Sequence, residues 1–353
     1  MTEEVKDFRH PLIGMTLEGL ERVAEENGLP RYSARQMASW LYSRRATSIE
    51  AMTDIPKTGR SRLEEKYDVG YNLPVSCSES SDGTKKYLFT VNDGALIESV
   101  YIPDKDRATL CVSSQIGCRM NCSFCATGRN GFHGNLSTHD IINQILAIPE
   151  STSLTNVVFM GMGEPLDNLT PVLKSIEILT SKWGLGWSPK RITVSTVGKG
   201  DNLKRLIEET KVHIALSVHF PFSEEREAMM PVERAYPVGK IIEELARYDF
   251  SKQRRCSIEY IMWKGVNDDP RHASALAKLL RPIKGVRVNL IRYHSIDGKR
   301  DLVPADQKTM ESFRDYLNDK GITATIRGSR GEDIMAACGM LAGQKNQNFN
   351  QQK

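Results

Sequence analysis

The sequence predicts an α/β protein: a partial (βα)6 barrel with a small N-terminal helical domain. From about residue 108 onward, short β-branched apolar runs alternate with helical patterns, the sign of βα units laid around a parallel sheet. Six such repeats suit an open barrel. Roughly the first 82 residues carry a helical period instead. At 353 residues, 40% hydrophobic and 26% charged, the chain can bury a sizeable core, which excludes global disorder.

In the N-terminal part, Leu17, Leu20, Val23 and Ala24 fall on one helical face, as do Met37, Trp40 and Leu41. Ser33 with Gln36, and Thr47 with Glu50, have capping-box spacing, so helices are expected to start there. Gly28-Leu-Pro30 and the stretch 56–59 punctuate them, and the module is expected to span 1–82. A Ser/Asp/Gly stretch at 78–83 leads into a β-hairpin extension, 83–105, whose strands 86–91 and 95–102 meet at Asn92-Asp93-Gly94. The barrel is expected over 106–343, with strands at 108–115, 156–161, 191–197, 213–219, 257–263 and 286–292. Helices are expected between them at 138–148, 170–179, 201–209, 238–248 and 273–280, several opened by an N-cap or a first-turn proline. A last helix at 306–318 precedes a seventh strand at 322–327, and the tail 344–353 reads as polar and disordered.

The charge balance, 48 basic against 44 acidic side chains, permits a polyanionic partner without requiring one. The chain opens without a basic segment leading into an apolar one, and no run of about 18 apolar residues occurs. The expectation is a cytoplasmic protein with no membrane span. Seven unevenly spread cysteines suit a reducing compartment better than a disulfide framework.

Three of those cysteines form Cys118-Arg-Met-Asn-Cys122-Ser-Phe-Cys125, a CxxxCxxC triad just beyond the first barrel strand, where βα enzymes place their chemistry. Structural zinc wants four protein ligands, usually as two close pairs, and no second pair follows. A four-iron cluster held by three thiolates leaves one iron open to an amine and a carboxylate, a pair that S-adenosylmethionine offers. The bland alternative is three free loop cysteines or a degenerate zinc knuckle. Gly161-Met-Gly163-Glu164-Pro165 follows the strand run Asn156 to Met160, where small residues let backbone approach a ligand closely. Ser195, Ser217, His219 and Asn289, with Val218 among them, lie at the ends of later strands, where one barrel face converges. Singly, each polar residue reads as a satisfied strand terminus.

The CxxxCxxC spacing resembles the radical S-adenosylmethionine superfamily. Its surroundings narrow the likeness: Cys111-Val-Ser-Ser-Gln-Ile-Gly-Cys118, Phe124-Cys-Ala-Thr-Gly128, Gly161-Met-Gly-Glu-Pro-Leu166, Leu290-Ile-Arg-Tyr-His294 and Gly331-Glu-Asp-Ile-Met-Ala-Ala-Cys-Gly339 closely resemble the radical adenine-C2 RNA methyltransferases, over nearly the whole chain. The resemblance implies a radical-SAM barrel holding a 4Fe-4S cluster on Cys118, Cys122 and Cys125. It implies S-adenosyl-L-methionine, two per turnover, contacted by Gly163, Glu164, Pro165, Ser195, Ser217, Val218, His219 and Asn289. The implied substrates are an adenosine in the peptidyl-transferase region of large-subunit ribosomal RNA and the adenosine 3′ to the anticodon in certain transfer RNAs. Cys338 is implied as the thiol that takes a methyl group and carries its carbon to the base. Cys111 is implied as the thiol that frees the product through a transient disulfide, and Glu98 as the proton acceptor. Without the resemblance, Cys111 reads as a buried strand cysteine, Cys338 as a small filler, and Glu98 as a solvated carboxylate on an edge strand. Cys77 and Cys256 match no role.

Elementary chemistry accounts for this equipment. Adenine C2 lies between two ring nitrogens and is too electron-poor to attack a sulfonium methyl group, whereas a carbon radical can add there. A stacked base cannot reach a sulfur inside a barrel, so the target nucleotide is expected to be extruded. The implied partners are ribosomal and transfer RNA, a low-potential electron donor and a thiol reductant, with the enzyme a monomer and residues 1–82 an RNA-binding accessory domain. Basic candidates for the RNA are Arg44-Arg45, Lys190-Arg191, 252–255, Lys299-Arg300, Arg327 and Arg330. Two other readings stay open. One is the C8 adenine branch of the same superfamily, with the same triad and paired thiols. The other is a non-catalytic, metal-containing nucleic-acid-binding protein.

Overall fold

The computed structural model describes residues 9–91, 94–252, 254–296 and 302–342. The expected Asn92-Asp93 turn, Lys299-Arg300 and the polar tail lie outside the described residues, as does Gln253 within 252–255.

The N-terminal module is closed at its ends by a short parallel pair, His10–Pro11 (β1) with Tyr67–Asp68 (β2). Between them run α1 (Leu17–Glu26), α2 (Ser33–Ala38) with a π-helical continuation over Ser39–Ser43, and α3 (Lys57–Lys66). Thr16 caps α1 by accepting the Gly19 N–H, and α1 buries Leu20, Val23 and Ala24 as its period requires. The two expected capping boxes do not form. Ser33 is already inside α2 with its hydroxyl buried and unpartnered among the described residues, and no helix starts at Thr47. Burial of Ala34, Met37 and Leu41 sets α2 in place of a local cap, because packing of an apolar face outweighs end effects in short helices. Residues of this module and of the barrel belong to one apolar core, which runs from Leu20, Leu41 and Leu63 to Val157, Val194 and Leu216.

Ser76–Glu79 (β3), Lys85–Val91 (β4) and Ala95–Asp104 (β5) form an antiparallel meander that leads into the first barrel strand, Arg107–Cys111 (β6). β3 therefore lies within the span 1–82 yet belongs to the large sheet. A small antiparallel pair, Gln115–Gly117 (β7) with Phe132–Asn135 (β8), brackets the cysteine loop and the four-residue helix Ala126–Arg129 (α4). Then come α5 (Thr138–Leu146), β9 (Asn156–Phe159), α6 (Leu169–Thr180), β10 (Ile192–Thr196), α7 (Gly200–Glu209) and β11 (His213–Ser217). The chain continues through α8 (Ser223–Met229), α9 (Val238–Leu245), β12 (Cys256–Met262), α10 (Pro270–Leu280), β13 (Arg287–Arg292), α11 (Gln307–Asp319) and β14 (Thr323–Arg327).

The ten-stranded sheet has the order β14-β13-β12-β11-β10-β9-β6-β5-β4-β3, parallel from β6 to β14 and antiparallel beyond. It is the expected partial barrel, six strands plus a seventh. Helix α10 begins at Pro270, ahead of the expected 273, because Asp269 caps it by accepting the His272 N–H at 2.9 Å. Helix α8 and the β7–β8 pair have no counterpart among the expected elements: both are short, and neither has a sequence period long enough to read.

Strand register aligns the polar residues of the barrel. Ser217 on β11 pairs with Glu259 on β12, Glu259 with Asn289 on β13, and Asn289 with Thr325 on β14. Four polar residues thus stand in one row across adjacent strands.

Candidate active site

The cysteine loop is pinned from both sides. Cys118 N–H donates to the Gly131 carbonyl at 2.8 Å, and Ala126 N–H donates to the Gly339 carbonyl at 2.8 Å. The Thr127 hydroxyl and Asn130 amide donate to the Leu341 and Ala342 carbonyls. The C-terminal segment is thereby laid on α4, which brings Cys338 beside the triad although more than 200 residues separate them in the chain.

Cys118, Cys122, Cys125, Gly163, Glu164, Ser195, Ser217, His219 and Cys338 line one cavity of about 270 Å³ at the carboxyl ends of the barrel strands. Five predicted residues, Cys111, Glu98, Pro165, Val218 and Asn289, do not line it among the described residues. Val218 is fully buried in the core and Pro165 is buried at the start of a short 3-10 turn. Asn289 stands behind Glu259, donating to its carboxylate at 2.7 Å.

The triad fits a cluster. Burial and repulsion from Cys125 and Cys118 hold the Cys122 thiol well above its ordinary range, and burial pushes Cys118 up to about 12. Three crowded thiolates need a cationic centre to exist at neutral pH. Among the described residues no three His, Cys, Asp or Glu side chains converge on one metal-ion position. A four-iron cluster does not ask for that, since each thiolate takes a different iron. An apolar wall of Phe124, Phe220, Trp263, Tyr293 and Met230 packs with Cys122, and Phe220 stacks on Trp263 at 5.3 Å.

The Gly161–Pro165 loop shows why glycine stands at 163. Gly163 has φ +101°, and a Cβ there would lie 2.5 Å from Gln115 Cβ and 2.8 Å from the Gln115 nitrogen. The Glu164 carboxylate accepts from the Thr196 hydroxyl at 2.6 Å, Val197 N–H at 3.0 Å and Leu166 N–H at 3.0 Å. It ties the end of β9 to the end of β10, leaving the loop's backbone for the ligand. Gly163→Ala should cost roughly 2–4 kcal/mol through strain and overlap, read as a lowered denaturation midpoint. A midpoint within about 0.5 kcal/mol of wild type would show that the loop yields.

His219 also has a left-handed backbone, φ +58°. Its Nδ1 accepts the Ile261 N–H at 3.1 Å, so the proton of the neutral ring is on Nε2. Burial, helped by Arg226, pushes its pKa down to about 3. His213, at the start of β11, is pushed down to about 4 by burial and by Arg255, Arg254, Lys190 and Arg287. Both rings stay neutral in the folded protein, whereas in the unfolded chain they bind protons below about 6.5. Stability is therefore whole above that value and lost as the pH falls towards 4. The thermal midpoint should drop between pH 7 and 5, and His213→Asn, whose amide oxygen can still accept from Arg255 N–H, should flatten the slope. An unchanged slope would refute this assignment.

Cys111 ends β6, buried, with burial and the nearby Cys338 raising its thiol to about 12 and the Met160 N–H opposing. Cys338 is open to the water of the cavity while protein rings it. That enclosure raises its pKa; Arg327 lowers it and Glu259 raises it. Glu98 corrects one expectation: β5 is an interior strand, paired with β4 and β6, and Glu98 is buried there. Its carboxylate meets Lys86 Nζ at 3.3 Å and accepts the Ala342 N–H at 2.9 Å. Val100 pairs with Cys111, so Glu98, two residues along, shares the Cys111 face of the sheet.

Two functional residues escaped sequence reasoning. Glu259 lines the cavity, buried, with burial raising its pKa against Arg327, Asn289 and Ser257. The signal was a lone carboxylate inside the apolar run Cys256–Met262. Arg226 is fully buried, donating to the carbonyls of Val218 at 3.2 Å and Ser217 at 3.1 Å and pairing with Glu233. It fastens the 217–219 turn, and nothing in the sequence of α8 marks it. Three basic candidates are structural: Arg45, Arg191 and Arg254 donate to backbone carbonyls of Ser151, Leu154 and Thr155, and Ile207 and Thr210.

Residues 112–276 match the Radical SAM superfamily, and residues 10–69 match the Ribosomal RNA large subunit methyltransferase N-terminal domain. The "Probable dual-specificity RNA methyltransferase RlmN" of Bacteroides fragilis is 54% identical over 97% of this chain and 99% of its own length. The "Dual-specificity RNA methyltransferase RlmN" of Geobacter sulfurreducens is 42% identical over 94% and 91%. A crystal structure of a radical SAM methyltransferase from Sphaerobacter thermophilus superposes with a TM-score of 0.88 at 38% identity, covering 95% of this chain and 99% of that one. With the triad, the thiol pair and the barrel in place, the chain belongs to the dual-specificity RNA methyltransferase family of the radical S-adenosylmethionine superfamily.

Proposed function

We propose that this enzyme methylates C2 of an adenosine in large-subunit ribosomal RNA, and the adenosine 3′ to the anticodon in certain transfer RNAs, through a methylated Cys338. The observation that carries the reading is the seating of Cys338 in the same cavity as the triad, with Cys111 close behind. Cys118, Cys122 and Cys125 would hold the 4Fe-4S cluster. The cluster with bound S-adenosylmethionine supplies a carbon-centred radical that removes a hydrogen atom.

The chain's own residues do the rest. Backbone at Gly163 and Glu164, with Ser195, Ser217 and His219, holds the cofactor; Val218 anchors the 217–219 turn in the core, and Asn289 steadies Glu259 beside the cavity. The Cys338 thiolate attacks the methyl of one S-adenosylmethionine, breaking its bond to the sulfonium and releasing S-adenosylhomocysteine; the radical comes from a second, so two are used per turnover. After the Cys338-borne carbon radical joins C2, Glu98 accepts the C2 proton and the adduct gives up one electron, for which the oxidised cluster would be the acceptor. The Cys111 thiolate then attacks the Cys338 sulfur. The electron pair of the carbon–sulfur bond goes to the methylene carbon, which takes up a proton to complete the methyl group on the base, and the two sulfurs are left as a disulfide for cytoplasmic thiols to reduce. A low-potential donor supplies the electron, and the enzyme acts as a monomer. No helix among the described residues is long and apolar enough to cross a membrane.

Anaerobically reconstituted protein, given reductant, S-adenosylmethionine and RNA, should yield 2-methyladenosine in RNA digests, identified by co-elution with the authentic nucleoside. Co-elution with 8-methyladenosine, or a protein that binds zinc and leaves RNA unmodified, would overturn the reading.

A further inference from the structure

At the opposite end of the barrel, where β12, β13 and β14 begin, an open hollow of about 880 Å³ carries Lys252, Arg255, Lys278, Arg281, Arg287 and Lys320 on its walls and rim. No carboxylate lines it among the described residues, and none of the six enters an ion pair there. Six cations with no carboxylate in the lining among the described residues make a local concentration of positive charge, and two of them, Arg255 and Arg287, help hold His213 neutral. All six cations are exposed, while the floor is apolar: Phe250, Leu280, Ile283 and Val286.

That arrangement selects among anions. A compact phosphate ester needs donors buried and aimed at one point, whereas these cations are spread around an open concavity. A flat bilayer cannot enter a hollow, and the protein's exposed large apolar side chains lie elsewhere. A nucleic-acid backbone is a convex ridge of repeated phosphates, which long Lys and Arg side chains contact without reading sequence. We propose that this hollow is a second RNA-binding surface, remote from the catalytic mouth, that holds backbone phosphates of the substrate RNA. The proposal rests on the reading that RNA is the substrate.

The test uses full-length reconstituted protein and fluorescent poly(U), which offers no adenosine to the active site. Lys252→Glu, Arg281→Glu and Lys320→Glu together should weaken binding at least tenfold at about 0.1 M salt. Loss of three single-strand contacts, at about 0.7 per phosphate, should also flatten the slope of log affinity against log salt by about 2. Lys174→Glu, Lys204→Glu and Lys240→Glu, the same charge change on outer barrel helices, should keep the slope. The corresponding glutamine variants serve if the reversals lower the melting temperature. Equal slopes in wild type and hollow variants, or an equal loss in the control, would overturn the proposal. Wild-type protein that fails to methylate RNA would instead overturn the substrate reading.

Discussion

Cys338→Ala is expected to reduce 2-methyladenosine formation by about a thousandfold or more, to background, while iron content stays at the wild-type level. The size follows from chemistry: alanine offers no sulfur to take the methyl group, so no bond between enzyme and base can form. The sparing of iron follows from geometry. Cys338 faces the cavity, and the segment after it is held on α4 by the Gly339, Leu341 and Ala342 carbonyls rather than by the thiol. Digests of RNA and iron analysis on the same preparation give both readouts. Product from the alanine variant would refute the tethered mechanism, and lost iron with lost product would make Cys338 a structural residue.

Cys111→Ala should be equally inactive in turnover but for the opposite reason. Alanine there leaves the base joined to Cys338 with no thiol placed to break the bond, so protein and RNA should accumulate as a stable adduct. The adduct should shift the protein on a denaturing gel, disappear on ribonuclease treatment, and be absent when Cys338 is also alanine. Cys111 is buried at the end of β6, where its backbone pairs with Val100 and Val158, and alanine keeps that pairing, so the alanine variant should fold. Normal product release by this variant would assign the resolving step to another group.

Much of this protein was determined by sequence alone, because the determining forces are local or periodic. The alternation of β-branched runs and helical periods located every barrel strand to within a few residues, since strand and helix faces must each present a continuous apolar surface to one core. The CxxxCxxC spacing located the triad because its three sulfurs sit within one short stretch of chain, Cys118 to Cys125. Where the sequence misled, long-range packing had won: Ser33 and Thr47 have the residue types of helix caps, yet the buried faces of Met37 and Leu41 set the helix instead. Only the tertiary structure could show that Glu259 stands between Ser217 and Asn289, since β-sheet register is fixed by strands about 30 to 40 residues apart. Only it could show that Arg226 turns inward to two carbonyls, that Glu98 lies inside the sheet, and that six scattered cations meet in one hollow. Those are facts of distance across the fold. A side chain's neighbours along the chain fix what it can do, and the closing of the barrel fixes what it does it to.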